Sequence, residues 1–309
     1  MPTANHQADY AEIYARSLQD PQVFWGEQAS RIPWITEPKT VLDQDENGVW
    51  RWFPDGELNS CYVALDQHVA QGRGDQTALI YDSPVTNTVE HFTFSQLLAK
   101  TATIAGGLVE LGVTKGDDVI IYMPMVPETA AAMLACARIG AIHSVVFGGF
   151  APKELAMRID DSSPKVVLAA SCGIEVDKVI AYQPLLNDAI DLAEHKPEHV
   201  VMLQRDQCEA ILQAPRDIDW RVWESAASPV PDRNAPVDEM LTMAIGVELS
   251  LRCAIAACAT KKADRRLTVW LTSQSSCSTS SAGANAYTPA ALTTTSICPP
   301  SAVRAAPTA

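Results

Sequence analysis

A pair of histidines is the first feature of the sequence with the spacing of a metal site. His195 and His199 lie in the segment HKPEH, which formally matches the H-x-x-E-H zinc pattern. That pattern needs both imidazole rings on one face of an unbroken helix, and Pro197 interrupts any such helix. We therefore predict that both histidines lie exposed in a loop and hold no metal.

The 8 cysteines are a second potential source of metal ligands or disulfides. They are scattered, with no C-x-x-C pair and no repeated spacing. Cys253 and Cys258 lie close together, but no histidine follows His199 and no second ligand pair is present to complete a zinc site. In a chain without a secretion signal, we expect free thiols.

Groups suited to acid–base catalysis or phosphate binding are few. His143 lies within a predicted strand without a neighbouring carboxylate or nucleophile, which favours a hydrogen-bonded core histidine over a general base. Neither G-x-x-x-x-G-K-[ST] nor G-x-G-x-x-G occurs. The segment TSQSSCSTSSAGA (272–284) offers hydroxyl groups but no lysine and no spaced glycines. The sequence thus predicts no catalytic residue.

The elements that would position functional groups follow a regular order over residues 75–205. Strands are predicted at 78–81, 89–92, 119–123, 141–147, 166–170 and 200–203, and helices at 93–111, 127–139, 152–161 and around 186–193. Apolar strands that alternate with helices are typical of a parallel sheet with helices on both faces. The predicted fold class is α/β.

The two ends of the chain differ from this central part. The sequence pattern of residues 1–72 predicts a helical and hairpin cap. It contains a turn at 45–48 and a helix that is capped by Asn59 and ended by Gly72. Residues 73–228 form the predicted α/β subdomain. Residues 229–309 are rich in Ala, Ser, Thr and Pro, and predict a disordered tail. The tail resembles a gene translated in the wrong frame; a genuine low-complexity tail is the alternative.

Charge and hydropathy exclude some partners. A formal net charge of -14 disfavours nucleic acid and anionic lipid surfaces. The most apolar segment, 240–260, carries Glu248 and Arg252 near its centre, which disfavours a spanning helix. The first residues show no basic, apolar leader, so a cytoplasmic location is expected.

Five segments in order carry a family resemblance. They are GELNSCYVALDQHV (56–69), ALIYDSPV (78–85), IIYMPMVPE (120–128), ARIGAIHSVVFGGF (137–150) and ASCGIE (170–175). Together they closely resemble the N-terminal half of short-chain acyl-CoA synthetases, and most of all the propionyl-CoA synthetase branch. The resemblance covers about residues 9–225. It implies the incomplete N-terminal portion of the large domain of an adenylate-forming ligase.

This resemblance implies a two-step reaction with ATP, Mg²⁺ and CoA as family substrates. A carboxylate, propionate or acetate, reacts with ATP to give an acyl-adenylate, and the CoA thiol then displaces AMP. The family's phosphate loop and its adenylation lysine have no counterpart here, and Lys261 and Lys262 lack a glycine-rich context. The expected product is truncated or frameshifted and inactive; a non-catalytic CoA- or partner-binding module is the alternative.

CoA is the one family substrate that the matching residues would still contact. The resemblance places Phe147, Gly148 and Gly149 near the path of CoA, and Lys178 near its nucleotide phosphate in place of an arginine. The glycine pair also suits a tight turn before Pro152, and Lys178 also suits a solvated surface position. A sheet that ends early would expose an unpaired edge, so we expect chaperone binding or self-association.

Overall fold

A computed structural model describes residues 4–175 and 178–231, with side chains described from residue 10 onward. Several sequence predictions therefore lie outside the described residues. They concern the tail from residue 232, the apolar segment 240–260, the hydroxyl-rich segment 272–284, Cys253 and Cys258, and Lys261 and Lys262.

The described residues form seven α-helices and eleven strands. The helices are α1 (Ala4–Gln19), α2 (Pro21–Ala29), α3 (Phe94–Glu110), α4 (Pro127–Ile139), α5 (Pro152–Ser162), α6 (Tyr182–Leu192) and α7 (Trp220–Ala226). The strands are β1 (Leu42–Gln44), β2 (Trp50–Trp52), β3 (Thr77–Ser83), β4 (Thr88–Thr93), β5 (Asp118–Met123), β6 (Ile142–Phe147), β7 (Val166–Ala170), β8 (Cys172–Glu175), β9 (Lys178–Ala181), β10 (His199–Leu203) and β11 (Asp217–Asp219). Residues 60–73 are helical with two π-helical turns, Tyr62–Asp66 and Val69–Arg73.

A five-stranded parallel sheet in the order β11-β10-β7-β5-β6 forms the centre of the described chain. Strand β5 pairs with β6 on one side and with β7 on the other, with Val119 opposite Val166. All five residues of β7 are buried, because this strand lies between two neighbours and beneath helices on both faces. The predicted α/β class and parallel sheet are confirmed.

Helices α3 to α7 divide into two layers, one on each face of this sheet. Helix α3 packs against α4 and α7, whereas α5 packs against α6. The chain moves from β5 outward to β6 and then returns across β5 to β7. Since such crossovers are right-handed, this reversal puts the two connecting helices, α4 and α5, on opposite faces. The carboxyl ends of β5 and β7 therefore flank the point where the strand order reverses.

Local signals set the ends of several elements. The Thr93 side chain accepts a hydrogen bond from the backbone N–H of Gln96, and the Gln96 side chain accepts one from the N–H of Thr93, so the predicted capping box opens α3. Pro127 occupies the first turn of α4. Gly140 ends the same helix with φ +76°, a left-handed conformation that favours glycine.

The predicted helix after Asn59 is present, but it contains π-helical turns that the sequence did not indicate. The Asn59 side chain accepts a hydrogen bond from the N–H of Tyr62 and donates to the carbonyls of Ala137 and Arg138 at 3.2 and 3.1 Å. This asparagine therefore caps one helix and holds the end of another. Gly72 bends the chain out of the helix with φ +79°.

A buried ion pair joins the same two regions. The Arg138 guanidinium on α4 contacts both carboxylate oxygens of Asp66, at 2.9 and 3.1 Å. The side chains are 4% and 8% exposed. Arg138 Nε also donates to the carbonyl of Val230 at 3.0 Å, so one side chain links the π-helical segment, α4 and the chain after α7.

Candidate functional site

The predicted CoA-contacting loop, residues 147–150, lies at the carboxyl end of β6, an edge strand of the sheet. The Phe147 side chain is 68% exposed, and its ring centroid lies 5.9 Å from that of Phe150. The N–H of Phe150 donates to the carbonyl of Phe147 at 3.3 Å, which closes a turn. Gly149 has φ +92°, so the turn itself favours glycine there.

The buried phenol of Tyr122, on the neighbouring strand β5, lies beneath this loop. Its hydroxyl oxygen accepts a hydrogen bond from the N–H of Gly149 at 3.1 Å and donates to the carbonyl of Phe150 at 3.3 Å. Burial raises the pKa of Tyr122 to about 12. The phenol therefore stays protonated at neutral pH and donates and accepts at once.

A second tyrosine, Tyr182 at the start of α6, packs beside Tyr122 with ring centroids 5.1 Å apart. Its hydroxyl fills the space where a Cβ on either Gly148 or Gly173 would stand, so a larger residue at either position would collide with it. Gly148 thus has a packing reason to be glycine that needs no ligand. The predicted approach of CoA to Gly148 and Gly149 stays a prediction.

A short hairpin, β8–β9, carries Lys178. Glu175 pairs directly with Lys178 across the two strands. The Glu175 carboxylate lies beside Gly149, 3.5 Å from where a Cβ on that glycine would stand. Both charged side chains are exposed. Phe147, Gly148 and Gly149 thus lie in one loop, and Lys178 is related to that loop through Glu175, which pairs with Lys178 and lies beside Gly149.

An arginine that no sequence pattern had indicated lies at the base of the hairpin. Arg205, just after β10, donates from its guanidinium to the carbonyl of Cys172 at 3.0 Å, and its backbone N–H donates to the Ser171 hydroxyl at 2.8 Å. Burial and the nearby Glu175 carboxylate raise the pKa of Tyr182, whereas Arg205 opposes that shift. No sequence signal marks Arg205, because its contacts lie more than 30 residues away along the chain.

A cleft of about 220 Å³ lies at the same edge of the sheet, between the start of α4, the end of β10 and the β3–β4 hairpin. Three carboxylates line it, against two guanidinium groups. They belong to Glu90, Glu128 and Asp206, and to Arg205 and Arg221. Lys100 contacts Glu128 at 3.1 Å and Glu224 at 3.2 Å nearby. The ionised cleft is therefore slightly negative.

The histidines differ in part from their predictions. Helix α6 ends at Leu192, so no helix carries both rings of HKPEH. The exposed-loop prediction is nevertheless wrong: His199 begins β10 with a buried Nδ1, and His195 is half-buried with Nε2 2.9 Å from the Pro164 carbonyl. His143 is half-buried on β6, and desolvation lowers its pKa, but its Nδ1 has no hydrogen-bond partner among the described residues.

No group of three His, Cys, Asp or Glu side chains in residues 4–175 and 178–231 is arranged to hold a metal ion. None of the helices in that part of the chain has the length and apolar character needed to cross a bilayer.

Comparison with known proteins shows two adjoining matches. Residues 10–64 match the family described as acetyl-coenzyme A synthetase N-terminus, and residues 66–243 match the AMP-binding enzyme family. The chain is 56% identical over 220 residues to an uncharacterised protein of Pseudomonas aeruginosa, covering 71% of this chain and 35% of the relative.

Two relatives whose names state an enzyme activity match over similar shares of this chain and of their own length. The human mitochondrial acyl-CoA synthetase short-chain family member 3 is 48% identical over 214 residues, which is 69% of this chain and 31% of the relative. The propionate–CoA ligase of Escherichia coli is 43% identical over 211 residues, which is 68% of this chain and 33% of the relative. The chain thus spans about a third of the length of the curated relatives it matches.

Proposed function

Because the chain belongs to the AMP-binding enzyme family, we propose that residues 10–231 form the N-terminal part of a short-chain acyl-CoA synthetase. Such an enzyme joins a carboxylate such as propionate to CoA and releases AMP. The observation that supports this proposal most directly is the identity to a propionate–CoA ligase over most of the described residues. The carboxylate is assigned from that relative alone.

We assign the CoA side of the reaction to the loop 147–150 and the β8–β9 hairpin. The exposed Phe147 ring offers an apolar surface for the uncharged arm of CoA. Lys178 offers an exposed ammonium for a nucleotide phosphate, as a point charge and without the two-pronged geometry of arginine. Glu175, which pairs with Lys178 and lies beside Gly149, limits this attraction, because its carboxylate repels phosphate.

The adenylating step has no comparable support in the described residues. Forming an acyl-adenylate requires hydrogen-bond donors and cations around the phosphates of ATP. The cleft at the carboxyl edge of the sheet carries more carboxylates than guanidinium groups, so the phosphates of ATP would meet a net negative charge there. We therefore propose that the 309-residue chain does not itself adenylate a carboxylate.

A direct assay tests this part of the proposal. The purified full chain is incubated with ATP, Mg²⁺, CoA and propionate, and AMP and propionyl-CoA are quantified against a control without protein. We expect no product above that control. Formation of either product would contradict the proposed lack of adenylating activity.

Calorimetric titration with CoA tests the assignment of the CoA side. We expect binding that weakens about fivefold in Lys178→Gln and depends on salt, since a single exposed charge contributes roughly 1 kcal/mol. Lys39→Gln is the matched control, because Lys39 is an exposed lysine in the N-terminal segment whose N–H contacts Asp55. Equal affinities in the two variants would remove Lys178 from the site, and no binding by the unmodified chain would remove the site.

A further inference from the structure

The backbone groups of the loop 147–150 are largely used within the protein. The N–H of Gly149 donates to Tyr122 Oη, and the N–H of Phe150 donates to the carbonyl of Phe147. The carbonyl of Phe150 accepts from the same Tyr122 hydroxyl. Two successive N–H groups therefore point to partners inside the molecule and are not available to a ligand.

This arrangement decides which chemistry the loop suits. Loops that bind phosphate present successive N–H groups outward to the anion. Here the outward surface is the exposed Phe147 ring and the half-buried Gly149, with the Glu175 carboxylate at the side, whereas Gly148 is buried. Such a surface suits an uncharged, extended ligand segment and disfavours an anion.

The residue that holds this conformation is Tyr122. Its side chain is fully buried, so its hydroxyl has no access to bulk water and depends on the loop for both hydrogen bonds. A phenylalanine of the same shape would fill the same space but would leave the N–H of Gly149 without this acceptor. The hydroxyl thus acts on the loop and only through it on a ligand.

We propose that Tyr122 is a positioning residue, which fixes the loop 147–150 with its N–H groups turned inward so that the loop takes the uncharged arm of CoA. The choice of ligand rests on the proposed function, whereas the positioning of the loop does not. Lys178 on the β8–β9 hairpin then binds the phosphates of CoA. The uncharged arm and the phosphates of the ligand thus contact two different elements.

The test compares Tyr122→Phe with Tyr14→Phe in the full chain. Tyr14 is a matched control because it loses the same hydroxyl from an exposed position on α1. Amide hydrogen exchange of Gly149, followed by NMR, is expected to accelerate about fivefold in Tyr122→Phe, the effect of losing one hydrogen bond. Tyr14→Phe should leave it unchanged. A Gly149 amide that stays equally slow in both variants would overturn the proposal.

Ligand titrations separate this proposal from the proposed function. Tyr122→Phe is expected to weaken the binding of CoA and of pantetheine by about threefold or more, and to leave the binding of pyrophosphate unchanged. Equal loss for pyrophosphate would refute selective positioning. If no form of the chain binds CoA, the proposed function fails, yet Gly149 exchange still decides the role of Tyr122. If Tyr122→Phe does not fold, rapid Gly149 exchange in the unmodified chain would refute the proposal and slow exchange would support it.

Discussion

Replacing Arg138 with methionine is expected to destabilise the described part of the chain by about 3–5 kcal/mol. The substitution keeps an unbranched side chain in the same space but removes the guanidinium. It leaves the Asp66 carboxylate buried without its partner, because that side chain is only 8% exposed. A buried charge that has lost its partner cannot regain solvation without opening the surrounding structure.

The contacts of Arg138 set this magnitude. Its guanidinium makes three contacts with Asp66 at 2.9–3.1 Å, and its Nε holds the Val230 carbonyl at 3.0 Å. A hydrogen bond to a charged group contributes about 1.5–3 kcal/mol, and these contacts share one geometry, so they do not add in full. The value of about 3–5 kcal/mol for breaking a buried pair is therefore the better guide.

Urea unfolding followed by tryptophan fluorescence measures the effect, since Trp220 and Trp223 are buried beside the core. The control is Lys165→Met, which removes a more exposed ion pair with Asp117, where the lysine side chain is 38% exposed. We expect that control to cost less than about 1 kcal/mol.

The double variant Arg138→Met, Asp66→Leu provides the decisive comparison. Removing both charges removes the uncompensated carboxylate, so the double variant should be more stable than Arg138→Met alone. A loss below about 1 kcal/mol in Arg138→Met, or a double variant less stable than the single one, would refute the reasoning.

Three further perturbations probe other contacts. Gly148→Ala should cost about 1–3 kcal/mol in the same urea assay, because the added Cβ collides with Tyr182; an unchanged midpoint would contradict this packing. Burial raises the pKa of Asp118 to about 6, so the folded state holds its proton more tightly than the unfolded chain and stability falls as the pH rises from about 4 to about 6. Asp118→Asn should reduce the dependence of the free energy of unfolding on pH between about 4 and 6. The same slope in both proteins would show that Asp118 is not its cause. Lys100→Met should destabilise the chain by about 1–2 kcal/mol at pH 7 in the same assay, because it removes the ion pairs with Glu128 and Glu224; an unchanged midpoint would argue against these ion pairs.

Much of the central sheet could be predicted because its signals are local. Strand β7 is a continuous apolar run bounded by polar residues, and its predicted limits match Val166–Ala170. Pro127 and Gly140 mark the two ends of α4 through backbone preferences that act within one or two residues. Such signals do not depend on distant parts of the chain.

The parts that the sequence did not predict depend on contacts between distant residues. Tyr122 lies in an apolar run and resembles any core residue, because the loop that its hydroxyl holds lies 27 residues later. The hairpin β8–β9 is made of four-residue strands, which are too short for a clear periodicity. His199 follows a proline-containing segment and resembles a loop residue, but pairing with Val166 adds it to β10.

The order of strands in the central sheet has a consequence for synthesis on the ribosome. β5 and β6 emerge first and pair with each other, β7 then joins the open side of β5, and β10 and β11 follow on that same side. Every newly emerged strand thus meets a neighbour that has already been made. The sheet can therefore form in the order of translation, because each strand after β5 finds its partner already made and does not have to stay unpaired.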